Sequence, residues 1–492
     1  MPLDVLLTHS YFLRFDPKQQ AAHMPYPPLG TLYAASLLRS SDISVRLCDT
    51  MLADSEQIIR GPLQEYRPKL LVIYDDDFNY LNKMCLTRMR EAAFVMSGIA
   101  KEFGIPVIVH GSDAADHAEQ YLSHGADVVV VGEGERTLHD VCTALLNDQQ
   151  DALAAIPGTV FMRDDQVFVS GIRSVQQQLD LIPFPAWDLI DWSAYRKVWM
   201  NHHGYFSVNM VTTRGCPYHC NWCAKPIYGQ VYNSRSPENV VKEMLLLKET
   251  IRPDHIWFAD DIFGLKPGWV KRFADVVTEQ KGMIPFKIQS RADLLVRPNE
   301  TAELARAGCT EVWIGAESGS QKILDAMDKG ITVAQIADAR RLLKQQHVDA
   351  AFFLQFGYRG ETFDDIQATI SMVKELLPDN IGISVSYPLP GTKFYEAVAS
   401  EMGTKKNWTD SDDLSMMYQG TFSPRFYKQL HRFVHRTFRL QQGLMFLKEA
   451  LLLKRIPTVR DLRRIGLIVY YVPMLIIDKY VLDRTRRSQN NT

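Results

Sequence analysis

Three of the chain's seven cysteines, Cys216, Cys220 and Cys223, lie within eight residues in the stretch Arg-Gly-Cys-Pro-Tyr-His-Cys-Asn-Trp-Cys. Thiolates at Cys-x3-Cys-x2-Cys spacing supply three of the four ligands a cubane [4Fe–4S] cluster takes, which leaves one iron open to bind a small molecule. Zinc prefers four closed ligands, commonly as two separated pairs. His219 lies between the first two cysteines and keeps a Cys3His zinc knuckle in view, but no second Cys-x2-Cys follows. A disulfide with one spare thiol is a further alternative, disfavoured by the lack of a secretory leader at Met1–Ser10. The other four cysteines, Cys48, Cys85, Cys142 and Cys309, are scattered.

The segments that position this loop read as two strand–helix series. Residues 3–147 alternate short apolar runs (Leu3–Thr8, Ser44–Cys48, Leu70–Tyr74, Val107–His110, Asp127–Val131) with helical patterns such as Leu29–Leu38 and Met84–Phe103. Continuous apolar strands alternating with helices mean a parallel sheet covered on both faces, with ligands at the carboxyl ends of its strands. Gly158–Val169 reads as a hairpin around Asp164-Asp165, and Ile182-Pro-Phe-Pro-Ala-Trp187 as a linker. A second series begins at Ser207–Thr213 and continues at His255–Ala259, Phe286–Ser290, Glu311–Ala316, Ala350–Phe356 and Ile381–Ser386. Six such units predict a partial (β/α)6 barrel with its site at the strands' carboxyl ends, and the cysteine loop follows the first strand. The fold class is therefore α/β: a Rossmann-like domain over 1–150, a linker with hairpin over 151–206, the barrel over 207–404 and a helical region over 405–492.

The cysteine loop with Trp222 as its aromatic resembles the signature of radical S-adenosylmethionine (AdoMet) enzymes. The wider stretch Thr212–Cys223 resembles the subgroup with an N-terminal cobalamin-binding domain. The resemblance covers roughly residues 1–400. It implies that AdoMet chelates the open iron and that one electron from the cluster splits its sulfonium to a 5′-deoxyadenosyl radical. By the same resemblance, Trp222, Asp260 and Asp261 after the second strand, Ser290 and Arg291 after the third, Glu317 and Ser318 in Gly315-Ala-Glu-Ser-Gly-Ser320, and Gly357 in Gly-Tyr-Arg-Gly-Glu361 meet AdoMet. Each motif alone also reads as a helix cap. Arg359 replaces the family's usual proline and is expected to be solvated. Tyr387-Pro-Leu-Pro-Gly-Thr392 matches the segment after the sixth strand.

In the N-terminal domain, Pro28, Leu29 and Gly30 resemble the opening of the family's cobalamin domain, as do Gly132, Glu133, Gly134 and Glu135 before a helix. The glycines suit close backbone approach to a large ring or its nucleotide tail. No Asp-x-His-x-x-Gly occurs, which implies a corrinoid without a lower histidine ligand. Two departures stand out. Asp75-Asp-Asp77 replaces small hydroxyl residues; Asp75 and Asp77 either hold a water or cationic group near the ring or form a solvated turn with Asn79 as a helix cap. His110-Gly111 stands where Gly-Gly is usual, so Gly111 borders a reshaped tail pocket.

Length, charge and hydropathy bound the remaining readings. The chain has 492 residues, 46% hydrophobic and 23% charged, with net charge −2, so it predicts several globular domains and no nucleic-acid partner. From Arg425 onward, fifteen Lys/Arg face four Asp/Glu. There Ile465–Ile477 is a mostly apolar stretch between basic flanks, too short to span a bilayer and suited to its interface. Peripheral membrane contact through residues 457–487 is one expectation; a helix packed on the barrel is the other. The chain is expected to be cytoplasmic, or peripheral to the membrane. The resemblance implies a [4Fe–4S] cluster, AdoMet and cobalamin as cofactors and a flavodoxin- or ferredoxin-like electron donor. The implied reaction is methylation of an unactivated carbon in a small-molecule or lipid-like substrate via methylcobalamin. A non-methylating oxidative cyclase or rearrangement enzyme is the alternative, and a non-catalytic cobalamin or redox sensor the second.

Overall fold

The computed structural model describes residues 3–78, 86–223, 227–404, 406–411, 413, 415–452 and 459–487. The expected helix start at Met84 and the cap at Asn79 lie outside the described residues.

Seven strands form the N-terminal sheet: β1 (Val5–Thr8), β2 (Val45–Cys48), β3 (Leu70–Tyr74), β4 (Val107–His110), β5 (Val128–Val130), β6 (Thr159–Arg163) and β7 (Gln166–Val169). Their order is β2-β1-β3-β4-β5-β6-β7. The first five are parallel, as continuous apolar runs such as Leu70-Leu-Val-Ile-Tyr74 require when both faces are covered. One face packs on Ile99 and Tyr121, the other on Leu38 and Leu138. The hairpin expected in the linker instead pairs antiparallel with β5 and extends the sheet. Asp164 and Asp165 both take positive φ, the mirror-image turn that matches strand twist.

The second sheet contains β8 (Ser207–Met210), β11 (His255–Phe258), β12 (Phe286–Ser290), β13 (Cys309–Glu317), β14 (Asp349–Phe356) and β15 (Asn380–Val385), all parallel in the order β15-β14-β13-β12-β11-β8. A two-residue antiparallel pair, β9 (Thr213–Arg214) with β10 (Asn233–Ser234), lies beside the cysteine loop. Along β12, Phe286, Ile288 and Ser290 are buried while Lys287 and Gln289 are partly open. That alternation gives one face to the helical layer and the other to a lumen. The two domains are joined directly: Trp199 Nε1 donates to the Pro25 carbonyl at 2.8 Å and Asn209 Nδ2 to the Pro27 carbonyl at 3.2 Å. The C-terminal region is helical. Pro424–Leu451 runs against the helix Ile468–Arg487, and its Phe426 and Leu430 join the barrel core.

Candidate active site

Cys216, Cys220 and Cys223 are not in disulfides; Cys216 is buried and the other two are partly exposed. Glycine is required just before them. Gly215 has φ 78°, and a Cβ there would collide with the Val231 carbonyl. The loop is pinned at Asn221 by four hydrogen bonds. Its side-chain amide donates to the Ala326 carbonyl at 2.6 Å, its side-chain oxygen accepts from Tyr358 Oη at 2.7 Å, its backbone N–H donates to the Met327 carbonyl at 3.1 Å and its carbonyl accepts from Phe394 N at 3.0 Å. The bland side chain between two cysteines is thus the loop's anchor, and spacing alone carries no signal for it.

The thiols face a cavity of about 400 Å3 that Trp222, Asp261, Ser290, Arg291 and Glu317 also line. A second space of about 200 Å3 adjoins it and shares Gln289, Trp313 and Phe353 as lining. Glu317 sits at a register shift between β13 and β14 with φ 55°, and its carboxylate accepts from Lys329 Nζ at 2.8 Å. Lys329 in turn lies 5.8 Å from the Trp222 ring centroid. Arg291 stacks 3.6 Å from the Tyr218 ring centroid and donates to the Lys329 carbonyl at 2.8 Å. The structure therefore gathers most of the expected AdoMet residues around the thiols.

Three expected AdoMet residues are placed elsewhere. Asp260 is buried beneath the loop and accepts from Thr212 N (2.7 Å), Thr212 Oγ1 (2.7 Å) and Thr213 N (2.8 Å). Burial pushes its carboxyl up to about 6 against the pull of these donors. It braces the strand that leads into the cysteines. Ser318 turns inward to Thr369 Oγ1 at 3.1 Å, and its oxygen accepts from Ser320 N, a local turn. Gly357 faces Met416 and Tyr427, with its N–H donating to Glu361 at 2.6 Å. Arg359 is exposed and pairs with Glu401 at 3.3 Å.

At the carboxyl edge of the N-terminal sheet the chain's own side chains meet one another. Asp75 accepts from Ser10 N (2.7 Å) and Ser10 Oγ (2.9 Å), Asp76 from Gly30 N (3.0 Å), and Asp77 pairs with His110 Nε2 at 2.6 Å. All three aspartates are at most 5% exposed, so the solvated-turn reading fails. Burial raises Asp75 and Asp76 to about 6. Gly30 and Gly111 approach Asp76 and Asp75, and a Cβ on Gly134 would lie 2.6 Å from His110. The positions expected to receive a ring make room for these groups. Pro28 leads into the helix Leu29–Arg39, where Leu29 is core. Gly132 turns with φ 75°. Glu133 and Glu135 bind Arg214, Glu135 at 2.7 Å, and Arg214 lies 5.4–5.5 Å from the rings of Tyr33, Phe78 and Tyr228. Arg214, two residues before Cys216, thereby ties the cysteine loop to the N-terminal domain.

The donor types fit the expected cluster and AdoMet: three cysteines of one loop line the cavity together with Arg291, Glu317 and Lys329. Gln355 Oε1 and Trp222 Nε1 are buried without a partner, and both residues line the cavity. Among the described residues no three His, Cys, Asp or Glu side chains group closely enough to hold a single metal ion. Tyr11, Leu13 and Met51 of the N-terminal domain line the second space beyond β1 and β2, the side on which the expected cobalamin would lie.

The model of the radical SAM superfamily matches residues 210–373. An uncharacterized methyltransferase of Pyrococcus horikoshii is 29% identical over 78% of this chain and 81% of its own length. An anaerobic magnesium-protoporphyrin IX monomethyl ester cyclase of Synechocystis is 26% identical over 78% and 74%. The solved cobalamin-dependent radical enzyme OxsB shares the fold with a TM-score of 0.72 at 17% identity, over 98% of this chain and 72% of that one. The methyltransferase TsrM of Kitasatospora setae does so with a TM-score of 0.67 at 17% identity, over 81% and 75%. Fold and site together define a radical SAM enzyme. The chain carries a radical SAM domain behind a Rossmann-like domain, and its fold is the one that the solved structures with cobalamin bound share.

Proposed function

We propose that this chain methylates an unactivated carbon of a small-molecule biosynthetic intermediate by cobalamin-dependent radical AdoMet chemistry. The observation that carries the reading is a pair of adjoining cavities, one lined by Cys216, Cys220 and Cys223 and the other by Tyr11, Leu13 and Met51 of the N-terminal domain, with Gln289, Trp313 and Phe353 lining both. Bound there, the cluster and AdoMet supply a carbon radical and cobalamin carries a methyl group. The chain's own residues hold and orient. Asn221 fixes the loop, the Glu317–Lys329 pair and Arg291 offer charge to the amino acid end of AdoMet, and Trp313 and Phe353 keep water from the reacting carbon. Anaerobically reconstituted protein given AdoMet and dithionite should release 5′-deoxyadenosine, and turnover should add S-adenosylhomocysteine. Deoxyadenosine without S-adenosylhomocysteine supports the cyclase or rearrangement alternative, which the Synechocystis relative's name favours. Release of neither product supports the sensor.

We also propose peripheral contact with an anionic membrane leaflet. Val469, Ile476 and Tyr480 are 81%, 69% and 67% exposed and lie on one stripe of the helix Ile468–Arg487. The polar side of that helix faces inward: Asp478 accepts from Arg436 Nη1 at 2.7 Å and Gln429 Nε2 at 2.9 Å. Exposed Arg463, Lys479, Arg484 and Arg486 flank the stripe. An apolar stripe with basic neighbours suits an anionic interface. Among the described residues no helix is long and apolar enough to cross a membrane. Sedimentation with phosphatidylglycerol vesicles, lost on deletion of residues 457–492, tests this; unchanged sedimentation would overturn it.

A further inference from the structure

The chain's own side chains bridge the edge of the N-terminal sheet at which a ligand would enter. The strand order β2-β1-β3-β4-β5 changes direction between β1 and β3, and sheets of this kind open a ligand crevice there, outside the strands' carboxyl ends. Asp75, just past β3, accepts from both the N–H and the hydroxyl of Ser10, just past β1, and so spans that crevice. The next gap, between β3 and β4, is spanned by Asp77 on His110 Nε2 at 2.6 Å. Between β4 and β5, His110 Nδ1 donates to the Val130 carbonyl at 3.1 Å. The glycines of this edge are already met by side chains: a Cβ on Gly111 would lie 3.0 Å from Asp75, and one on Gly134 2.8 Å from Tyr74 Oη. Ser10, Tyr74, Asp75, Asp77 and His110 are at most 3% exposed. The space beside the end of β5, walled by Glu133, Glu135 and Arg214, measures about 50 Å3.

Cobalamin has two parts, a corrin ring and a nucleotide tail of phosphate, ribose and dimethylbenzimidazole. A group the size of that tail needs a site of at least about 300 Å3. Opening one between these strands would part Asp75 from Ser10 and Asp77 from His110, and leave buried polar groups without partners. We infer that this chain holds its corrinoid by the ring alone, with no nucleotide tail entering the N-terminal sheet, so that a corrinoid lacking the tail is an equal ligand; this rests on the cobalamin reading above for the presence of a corrinoid. Gly111, expected to border a tail pocket, backs onto Asp75 instead.

The test is equilibrium dialysis of the cluster-reconstituted full chain against aquocobalamin and against aquocobinamide, which lacks the tail, with binding read from the corrin absorbance. Cobinamide should bind as tightly as cobalamin to within about threefold, or more tightly. Cobalamin tighter by more than that would overturn the inference and leave the cobalamin reading standing, whereas binding of neither would overturn both. Asp77→Ala combined with His110→Gly removes a buried pair without stranding one partner, and opens the gap between β3 and β4. This double variant should shift the ratio of the two dissociation constants severalfold toward cobalamin. An unchanged ratio would show that this pair does not exclude the tail and would overturn the inference. Neither corrinoid has to react, so the dialysis reports on the pocket whether or not AdoMet is cleaved.

Discussion

Replacing Arg214 with methionine tests whether a buried charge cluster holds the cysteine loop to the N-terminal domain. Arg214 is 4% exposed, and its partners Glu133 and Glu135 are 7% and 5% exposed. Methionine keeps much of the side-chain volume but leaves two buried carboxylates with no cation. Removing one partner of a buried pair costs about 3–5 kcal/mol, a shift of more than about a hundredfold in the unfolding equilibrium. The loss carries a sign in pH. Burial already raises the Glu133 carboxyl above 4.5 against the pull of Arg214. Without that cation it rises further. Between 4.5 and the raised value the folded variant keeps a proton the unfolded chain has released, so its stability falls as pH rises through that window. Urea unfolding followed by circular dichroism and tryptophan fluorescence should therefore show a small deficit near about pH 5 and the full one near about pH 8. Glutamine at both 133 and 135 should restore most of the loss, and iron content after anaerobic reconstitution reads the loop itself. A deficit under about 1 kcal/mol near pH 8, or an equal deficit at both pH values, would refute the reasoning.

Asn221→Ala should cost about 1–2 kcal/mol in urea unfolding yet lower iron bound per chain severalfold, since both side-chain anchors go and only the two backbone bonds remain; full iron loading would show that the side-chain anchor is dispensable. Burial raises Glu361 to about 8, and its Oε1 has no partner. The folded state thus holds a proton that the unfolded chain loses above 4.5, and stability should decline from there to about 8. Glu361→Gln should flatten that part of the thermal-midpoint profile; an unaltered slope assigns it to other groups. Glutamine at 469, 476 and 480 together removes about 1.5–3 kcal/mol of apolar burial per side chain, so partition onto phosphatidylglycerol vesicles should drop by more than about a hundredfold. Unchanged partition would show that the stripe stays in water.

The five apolar runs of residues 3–147 and five of the barrel's six became strands within a residue or two, because strand periodicity is written in neighbouring side chains; Ser207–Thr213 instead ends its sheet strand at Met210 and gives Thr213 to the pair beside the cysteine loop. Gly158–Val169 was legible as a hairpin but not as an extension of the sheet, because pairing with β5 depends on an edge that local pattern does not reveal. Asp75–Asp77 and Glu133–Glu135 showed chemistry-capable types, yet their partners Ser10, His110 and Arg214 come from distant segments.

Cys-x3-Cys-x2-Cys with its aromatic, the alternation of strands and helices, and the basic apolar tail were determined by the sequence itself, since each is a relation among residues a few positions apart. Only the tertiary structure decided that Asp260 braces Thr212, 48 residues away, that Tyr358 anchors Asn221 across 137, and that Arg214 joins the loop to Glu135 across 79. A carboxylate or amide is a ligand, a brace or an anchor according to the donors that reach it in space. Folding sets those donors by burying each group where a partner must be found.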